Sequence, residues 1–384
     1  MSLFVRELAV QNYRSIRKLT LPVERLSVFV GANGAGKTNL YRALELIQAA
    51  AAGSLAAALA AEGGLGSAMW AGTTRRNEKA RIELGVGLGE APADVPGPAA
   101  YGYGVSVGYP PPVSAAFGEE GHVKEESLVH RHGRREVRLL DRRGPQLTAR
   151  DEAGARVDFD DDLLASETAL ARLEDPSRFP DLQLVRATLL DWRFYHDLRT
   201  DGASPLRRPC LAVASPTLAS DGANLAAVFA TLAHIREDTR DLDAAVADAF
   251  PGARLDIPPP GRTATFGLVT PDYPHRVFEA AELSDGTLRF LGLAGALLAY
   301  RLPAFIALNE PEASLHPDML EPLGRLIAKA AERTQVWVVT HSERLAEAIA
   351  RHGGATPRTV EKTDGLTTIR GLKAWGFADD EDGD

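Results

Sequence analysis

Residues 31–40 read GANGAGKTNL, preceded by LSVFV at 26–30 and followed by YRALELIQAA at 41–50. The first flank is an apolar, β-branched run and predicts a buried strand. The second has helix formers with apolar residues at helical spacing. Strand, glycine-rich turn, helix is therefore the order, and Gly31–Thr38 fits GxxxxGK[ST]. Glycines are required here because several backbone N–H groups must point into one concavity, at approach distances a Cβ would block. The positive end of the following helix adds to the attraction for phosphate. In such a loop Lys37 reaches the β and γ phosphates of a triphosphate and the Thr38 hydroxyl ligates Mg²⁺.

Working outward, residues 1–25 hold alternating strand patterns, and the alanine-rich run 49–61 with Gly53 and Ser54 leaves open whether the helix continues or breaks. Residues 81–150 carry glycine-punctuated β patterns such as RIELGVGLG and YGYGVSVGY, which predict an antiparallel lobe. Periodicity turns helical from 161 to about 250 and returns to short strands after PGARLDIPPP. The last third reads helix (287–300), strand (304–308), helix (317–332), strand (335–339), helix (342–351). That alternation predicts parallel strands with crossover helices, hence an α/β core assembled from both ends of the chain. The expected organisation is 1–75 as the first half of the core, 76–160 as the β lobe, 161–250 as a helical insertion, 251–375 as the second half of the core and 376–384 as an acidic tail.

The chain has 384 residues, a formal net charge of -9 and one cysteine, Cys210, which excludes a disulfide framework or a Cys-based zinc site. Arg6 and Glu7 stand where a secretory signal needs an apolar core, so a cytoplasmic protein is expected. Residues 290–308 imitate a membrane span, but Arg301 and Pro303 interrupt them, and no membrane association is expected. Seven arginines between 131 and 150 are followed by six acids between 151 and 162. Paired strands with facing charges account for this better than a phosphate-binding patch.

Three further segments carry chemistry. Phe305–Leu308 is a buried-strand tetrad ending in Asn309 and Glu310, which delivers polar groups to the C-terminal edge of a parallel sheet. LSDG at 283–286 precedes an apolar helix, where a serine offers its hydroxyl and nearby N–H groups to phosphate. VVTHS at 338–342 places His341 and Ser342 after another apolar strand. Each alone is an ordinary strand end or helix cap; their order behind a phosphate loop is what singles them out.

The set GANGAGKTNL, ELSDGTLRFL, FIALNEPEASLHP and VVTHS resembles the ABC-type ATPase heads of the RecF/SMC/OLD group, most nearly the short RecF-like AAA family ATP-binding proteins without a Toprim domain. VRELAVQNYRSIRKL is similar to that group's opening strand and arginine-bearing turn at Arg14. The resemblance implies an α/β P-loop NTPase fold of ABC-ATPase head type with an antiparallel β lobe and a helical insertion. It implies that Gly31, Asn33, Gly34, Ala35, Gly36, Lys37, Thr38 and Asn39 bind ATP, with Arg14 beside them, and that Ser284 and Gly286 belong to the signature. Glu310 becomes the catalytic glutamate, His341 the switch histidine, and Thr38 and Asn309 the Mg²⁺ residues. ATP and Mg²⁺ are the implied cofactors, ATP hydrolysis the activity and an ATP-tightened homodimer the working state. DNA and a further protein are implied partners, in repair or genome defence. Two departures stand out. Asn309 occupies the place of a carboxylate, and the glutamine-bearing loop has only Gln146 and Gln183 as candidates. A slow enzyme is one expectation, and a nucleotide-gated interaction module with negligible hydrolysis is the alternative.

Overall fold

The computed structural model describes residues 3–73, 79–90, 99–111, 117–133, 135–159, 163–196 and 198–372. The expected acidic tail lies outside the described residues. The chain divides into two compact units, one of residues 1–25, 32–192 and 359–384, the other of residues 26–31 and 193–358.

The first unit is built on one antiparallel sheet. Its strands are β1 (Phe4–Tyr13) and β2 (Ile16–Pro22), then, with β3 (Leu26–Val30) belonging to the other unit, β4 (Arg81–Gly89), β5 (Tyr101–Gly108), β6 (His122–His132), β7 (Arg135–Arg143), β8 (Gln146–Arg150) and β9 (Arg156–Phe159). They run in the order β2-β1-β4-β5-β6-β7-β8-β9. The strands of the expected β lobe thus extend the sheet begun at the N-terminus. Alternation sends Leu84, Val86 and Leu88 of β4 and Tyr101, Tyr103, Val105 and Val107 of β5 into the core. Helix α1 (Lys37–Ala52) packs on β1 and β4 through its buried Leu40, Leu44 and Ile47. It ends where Gly53 adopts φ 77°, and α2 (Leu55–Ala61) starts after it, so the alanine run is two helices. Helix α3 (Pro180–Asp191) docks on α1, where Gln48 donates to the Leu189 and Trp192 carbonyls (3.1 and 2.8 Å).

The arginines of 131–150 are mostly spoken for. Arg131 meets Glu136 at 3.1 Å and Arg138 meets Asp141 at 3.2 Å, while Arg143 is 3.7 Å from the same aspartate. Arg142 turns inward and donates to the carbonyls of Gly144 (3.0 Å), Leu164 (3.1 Å) and Glu167. Arg131 and Glu136 face each other across β6 and β7, as paired strands predict, but the pairs to Asp141 lie along β7 itself, and none of these ion pairs joins the arginines of 131–150 to the acids of 151–162.

The second unit holds parallel strands in the order β10-β11-β12-β3, with β10 (Arg193–Tyr195), β11 (Phe305–Asn309) and β12 (Gln335–Thr340). Strand β10 lies inside the window whose periodicity reads as helical, because three residues are too few to show a period of two. Helix α4 (Leu225–Thr231), α5 (Arg240–Ala249) and α6 (Asp285–Leu298) share one core with these strands. Residues 288–298 of α6 are buried all round, which is why the sequence imitates a membrane span. Among the described residues no helix is long and apolar enough to cross a membrane. Helix α7 (Leu320–Ala331) crosses from β11 to β12, and α8 (Glu343–Gly353) follows β12 and packs on β3. Phe29 of β3 and Trp337 of β12 pack with centroids 4.3 Å apart. The hairpin β13 (Arg358–Thr363) and β14 (Leu366–Ile369) returns the chain to the first unit.

Candidate nucleotide site

Strand β3 ends at Val30, and within the first unit residues 32–38 form a loop leading into α1. Gly34 and Gly36 lie at φ 79° and 98°, in the left-handed region that favours glycine. Gly36 caps α1 with no side chain, so the first N–H groups of the helix have no side-chain acceptor there. A Cβ on Gly36 would lie 1.9 Å from Thr367 Oγ1 and 2.9 Å from Ser15 Oγ. Those two hydroxyls form a brace behind the loop. Ser15 and Thr367 meet at 2.7 Å, Thr367 donates to the Ala35 carbonyl at 3.0 Å, and Asn39 donates to Ser15 at 2.7 Å. Thr367 N also donates to Ser15 O at 2.8 Å, which pins β14 to the β1–β2 turn.

Lys37 is buried and its Nζ donates to the Ala32 carbonyl at 2.9 Å, so the ammonium folds across its own loop. Ala35 is buried, Thr38 stands half-buried in the first turn of α1, and Ala32, Asn33 and Gly34 are exposed. An exposed, glycine-built rim ahead of a helix with no side-chain cap fits a triphosphate chain. Arg14 sits at φ 50° in the turn that presents Ser15, but its guanidinium is bound to Glu62 through Nε (3.0 Å) and Nη2 (2.7 Å). Tyr13 donates to the same carboxylate at 2.8 Å. Burial and the Glu62 charge push its phenol far above the usual range. Arg14 is thus engaged by Glu62 at the turn, while Ser15 and Thr367 stand directly behind the loop. Of the two glutamine candidates, Gln146 is exposed at the start of β8 and Gln183 donates to the Leu173 carbonyl from α3.

The second cluster lies wholly within the other unit. β11 ends at Asn309, whose Oδ1 is buried and meets no donor among the described residues. An acceptor in that condition fits a metal-bound water as its donor. Glu310 follows at φ 48°, with its N–H on the Val339 carbonyl (2.8 Å) and its side chain partly exposed. His341 Nδ1 is 3.7 Å from Glu310 Oε1 and 3.1 Å from Glu312 Oε1. Arg289, buried in α6, donates to the Leu198 carbonyl (2.8 Å) and lies 3.4 Å from the Glu310 carbonyl.

In the same unit Ser284 caps α6, accepting from Thr287 N at 3.2 Å, and remains exposed. Gly286 is needed for a close approach. A Cβ there would lie 2.8 Å from the carbonyl of Ser314, itself at φ 66°. Arg207 clamps the turn before α6 from a distance, beside the local contacts of Glu282 with Glu279 N and Arg276. It donates to the carbonyls of Thr200 (2.8 Å), Ala281 (3.0 Å) and Leu283 (2.7 Å) and to Asp285 (2.6 Å). No local pattern in the sequence marks Arg207 as a clamp acting across more than seventy positions. Among the described residues no group of three or more His, Cys, Asp or Glu is arranged to hold a metal by itself.

A search of the curated proteins found no match. Among solved structures, the SMC head domain from Thermotoga maritima is similar at 15% identity and TM-score 0.44, covering 96% of this chain and 99% of that one. An SMC head with an extended coiled coil, bound to the C-terminal domain of ScpA from Pyrococcus furiosus, is similar at 14% identity and TM-score 0.48, covering 96% of each chain. A further SMC head, bound to the C-winged helix domain of ScpA, matches at 16% identity and TM-score 0.49, covering 95% of this chain and 97% of that one. Residues 26–347, which span residues 31–39, Ser284, Gly286, Glu310 and His341, match the family described as "AAA domain, putative AbiEii toxin, Type IV TA system", and the chain belongs to that family.

Proposed function

We propose that the protein binds and hydrolyses ATP as an ABC-type head, with two copies closing on the nucleotide. Residues 31–39 take the triphosphate, Lys37 meets its β and γ phosphates, and Thr38 and Asn309 serve Mg²⁺. Glu310 polarises the attacking water and His341 acts beside the γ-phosphate. Ser284 and Gly286 of one copy serve the nucleotide held by the other, so hydrolysis requires a two-fold dimer. The observation that carries this reading is the Gly36 cradle, a left-handed glycine backed by Ser15 and Thr367 ahead of an uncapped helix.

Size analysis with and without ATP and Mg²⁺ on the wild type, Lys37→Ala and Glu310→Gln tests it. The expected result is an ATP-dependent dimer in the wild type, no ATP-dependent change in Lys37→Ala and a persistent dimer in Glu310→Gln. Lys37→Ala holding nucleotide as tightly as the parent would overturn the assignment.

Asn309 in the place of a carboxylate favours a second reading, a switch that binds ATP and dimerises with negligible hydrolysis, since an amide brings no negative charge to the metal. Single-turnover rates decide between the two. Equal rates in wild type and Glu310→Gln mean a switch; a loss of about 100-fold means that Glu310 is the base. DNA as a partner, in repair or defence, rests on the resemblance, because the arginines of 131–150 are largely paired with acids or turned to backbone carbonyls. Affinity for DNA that falls steeply with salt would support it, and a salt-independent affinity would exclude it.

A further inference from the structure

Glu312, two residues past the catalytic glutamate in the same EPE run, has no role in the assignments above, and it is the more deeply buried of the two carboxylates. Its side chain is 5% exposed, against 40% for Glu310. The turn that buries it is tight. Ala313 N donates to Glu310 O at 3.1 Å and Leu315 N to Glu312 O at 3.0 Å. This carries the Glu312 carboxylate to the end of β12, where a single oxygen, Oε1, gathers the donors of the whole 340–342 turn. Thr340 Oγ1 donates at 2.5 Å, His341 N at 2.9 Å and Ser342 N at 3.3 Å. His341 Nδ1 lies 3.1 Å from that same oxygen. The other oxygen is buried and meets no donor among the described residues, so the hold is exerted through Oε1.

We infer that Glu312 is a positioning residue for His341: its carboxylate holds the 340–342 turn and stands beside Nδ1, so that the ring keeps its proton on Nδ1 and leaves Nε2 as the nitrogen that acts. The inference rests on the ATPase reading of the cluster. Its physical basis is competition between two carboxylates for one ring. The nearer one is also the one shielded from water, where the attraction between an N–H and an anion is strongest. Backbone N–H groups of the same residue and its neighbour lock that carboxylate in place, so it cannot follow the ring if the ring swings. The exposed Glu310, at 3.7 Å from the ring, keeps its carboxylate for water. The consequence is chemical. A neutral imidazole carries one N–H, and with that proton on Nδ1 the Nε2 position holds a lone pair and accepts a hydrogen bond. The neutral ring then orients a water molecule; it donates to a phosphate oxygen from Nε2 only when doubly protonated. A free imidazole, which favours the proton on Nε2, would do the reverse.

A double-mutant cycle on the full chain separates positioning from mere support. Glu312→Gln keeps an oxygen for Thr340 and the two N–H groups and removes the charge, so the turn stays folded. Single-turnover ATP hydrolysis is expected to fall about 10-fold or more in Glu312→Gln, with ATP affinity within about twofold of wild type. In a His341→Ala background the same substitution should cost less than about twofold. An equal loss in both backgrounds makes Glu312 a structural residue and overturns the inference. Nitrogen-15 NMR of histidine-labelled protein, at a pH where the ring is neutral and with His341 assigned by its loss in His341→Ala, reads the tautomer directly. The proton is expected on Nδ1 in the wild type and largely on Nε2 in Glu312→Ala. The same tautomer in both overturns the inference whether or not ATP is hydrolysed. A wild type that turns over no ATP removes the ATPase reading alone and leaves the ring measurement to decide the positioning.

Discussion

Replacing Arg207 with alanine removes one guanidinium that serves four acceptors around the turn ahead of α6. The contributions are unequal. Asp285 is 59% exposed, so its pairing with Arg207 is screened and contributes at most about 1 kcal/mol. The Thr200 and Ala281 carbonyls belong to partly or fully exposed residues and recover water when the arginine leaves. The Leu283 carbonyl belongs to a buried residue, and losing a charged donor there costs about 1–3 kcal/mol. The total is about 1–4 kcal/mol, felt at residues 281–288 and not across the molecule. Two kcal/mol of lost local protection accelerates amide exchange about 30-fold. Hydrogen exchange followed by mass spectrometry on the wild type, Arg207→Ala and Arg208→Ala reads this out. Arg208 is adjacent and exposed, and its side chain has no partner among the described residues, so its loss should leave exchange within a few fold. Arg207→Lys, with charge but no fork, should fall between. Unchanged protection in Arg207→Ala, or equal losses in both alanine variants, refutes the clamp.

Three other outcomes follow from the geometry. Gly36→Ala places a methyl 1.9 Å from Thr367 Oγ1 at a left-handed position and should lower ATP affinity at least about 10-fold in a fluorescent-analogue titration. Asn309→Asp adds the missing charge where an acceptor stands unmatched. It should lower the Mg²⁺ needed for half-maximal hydrolysis about fivefold or more, and lower the melting temperature when Mg²⁺ is chelated. Gly286→Ala drives a methyl to 2.8 Å from the Ser314 carbonyl and should cost about 1–3 kcal/mol of stability by chemical denaturation and weaken the ATP-dependent dimer on a sizing column.

The elements that sequence reasoning reached are those whose signal is local. VFVGANGAGKT carries its strand, its turn chemistry and its helix start within a dozen residues, and FIALNE carries a buried strand and its polar end. For the arginine-rich hairpins strand order finds the cross-strand pair Arg131–Glu136, while the pairs of Arg138 and Arg143 with Asp141 run along one strand and depend on how the side chains lie. Other features are settled by partners far along the chain. Ser15 gains its role from Thr367, some 350 positions away. Glu312 gains its own from the 340–342 turn, and Arg207 from the 281–285 turn. Strand β10 was hidden because its three residues borrow their identity from β11. Arg14 drew attention by its place in a familiar turn, while the group that supports the loop is its neighbour.

The strand that launches the phosphate loop has its hydrogen-bonding partner near the other end of the polypeptide, Val28 opposite Val338. During synthesis Leu26–Val30 must wait for roughly three hundred further residues before it can be seated, a large loop-closure burden for so short a piece. Fragments stopping short of β12 leave LSVFV an unpaired apolar ribbon exposed to aggregation. Expression of the N-terminal half alone should therefore yield insoluble material, and co-expression with residues 193–384 should restore solubility by supplying the missing neighbour.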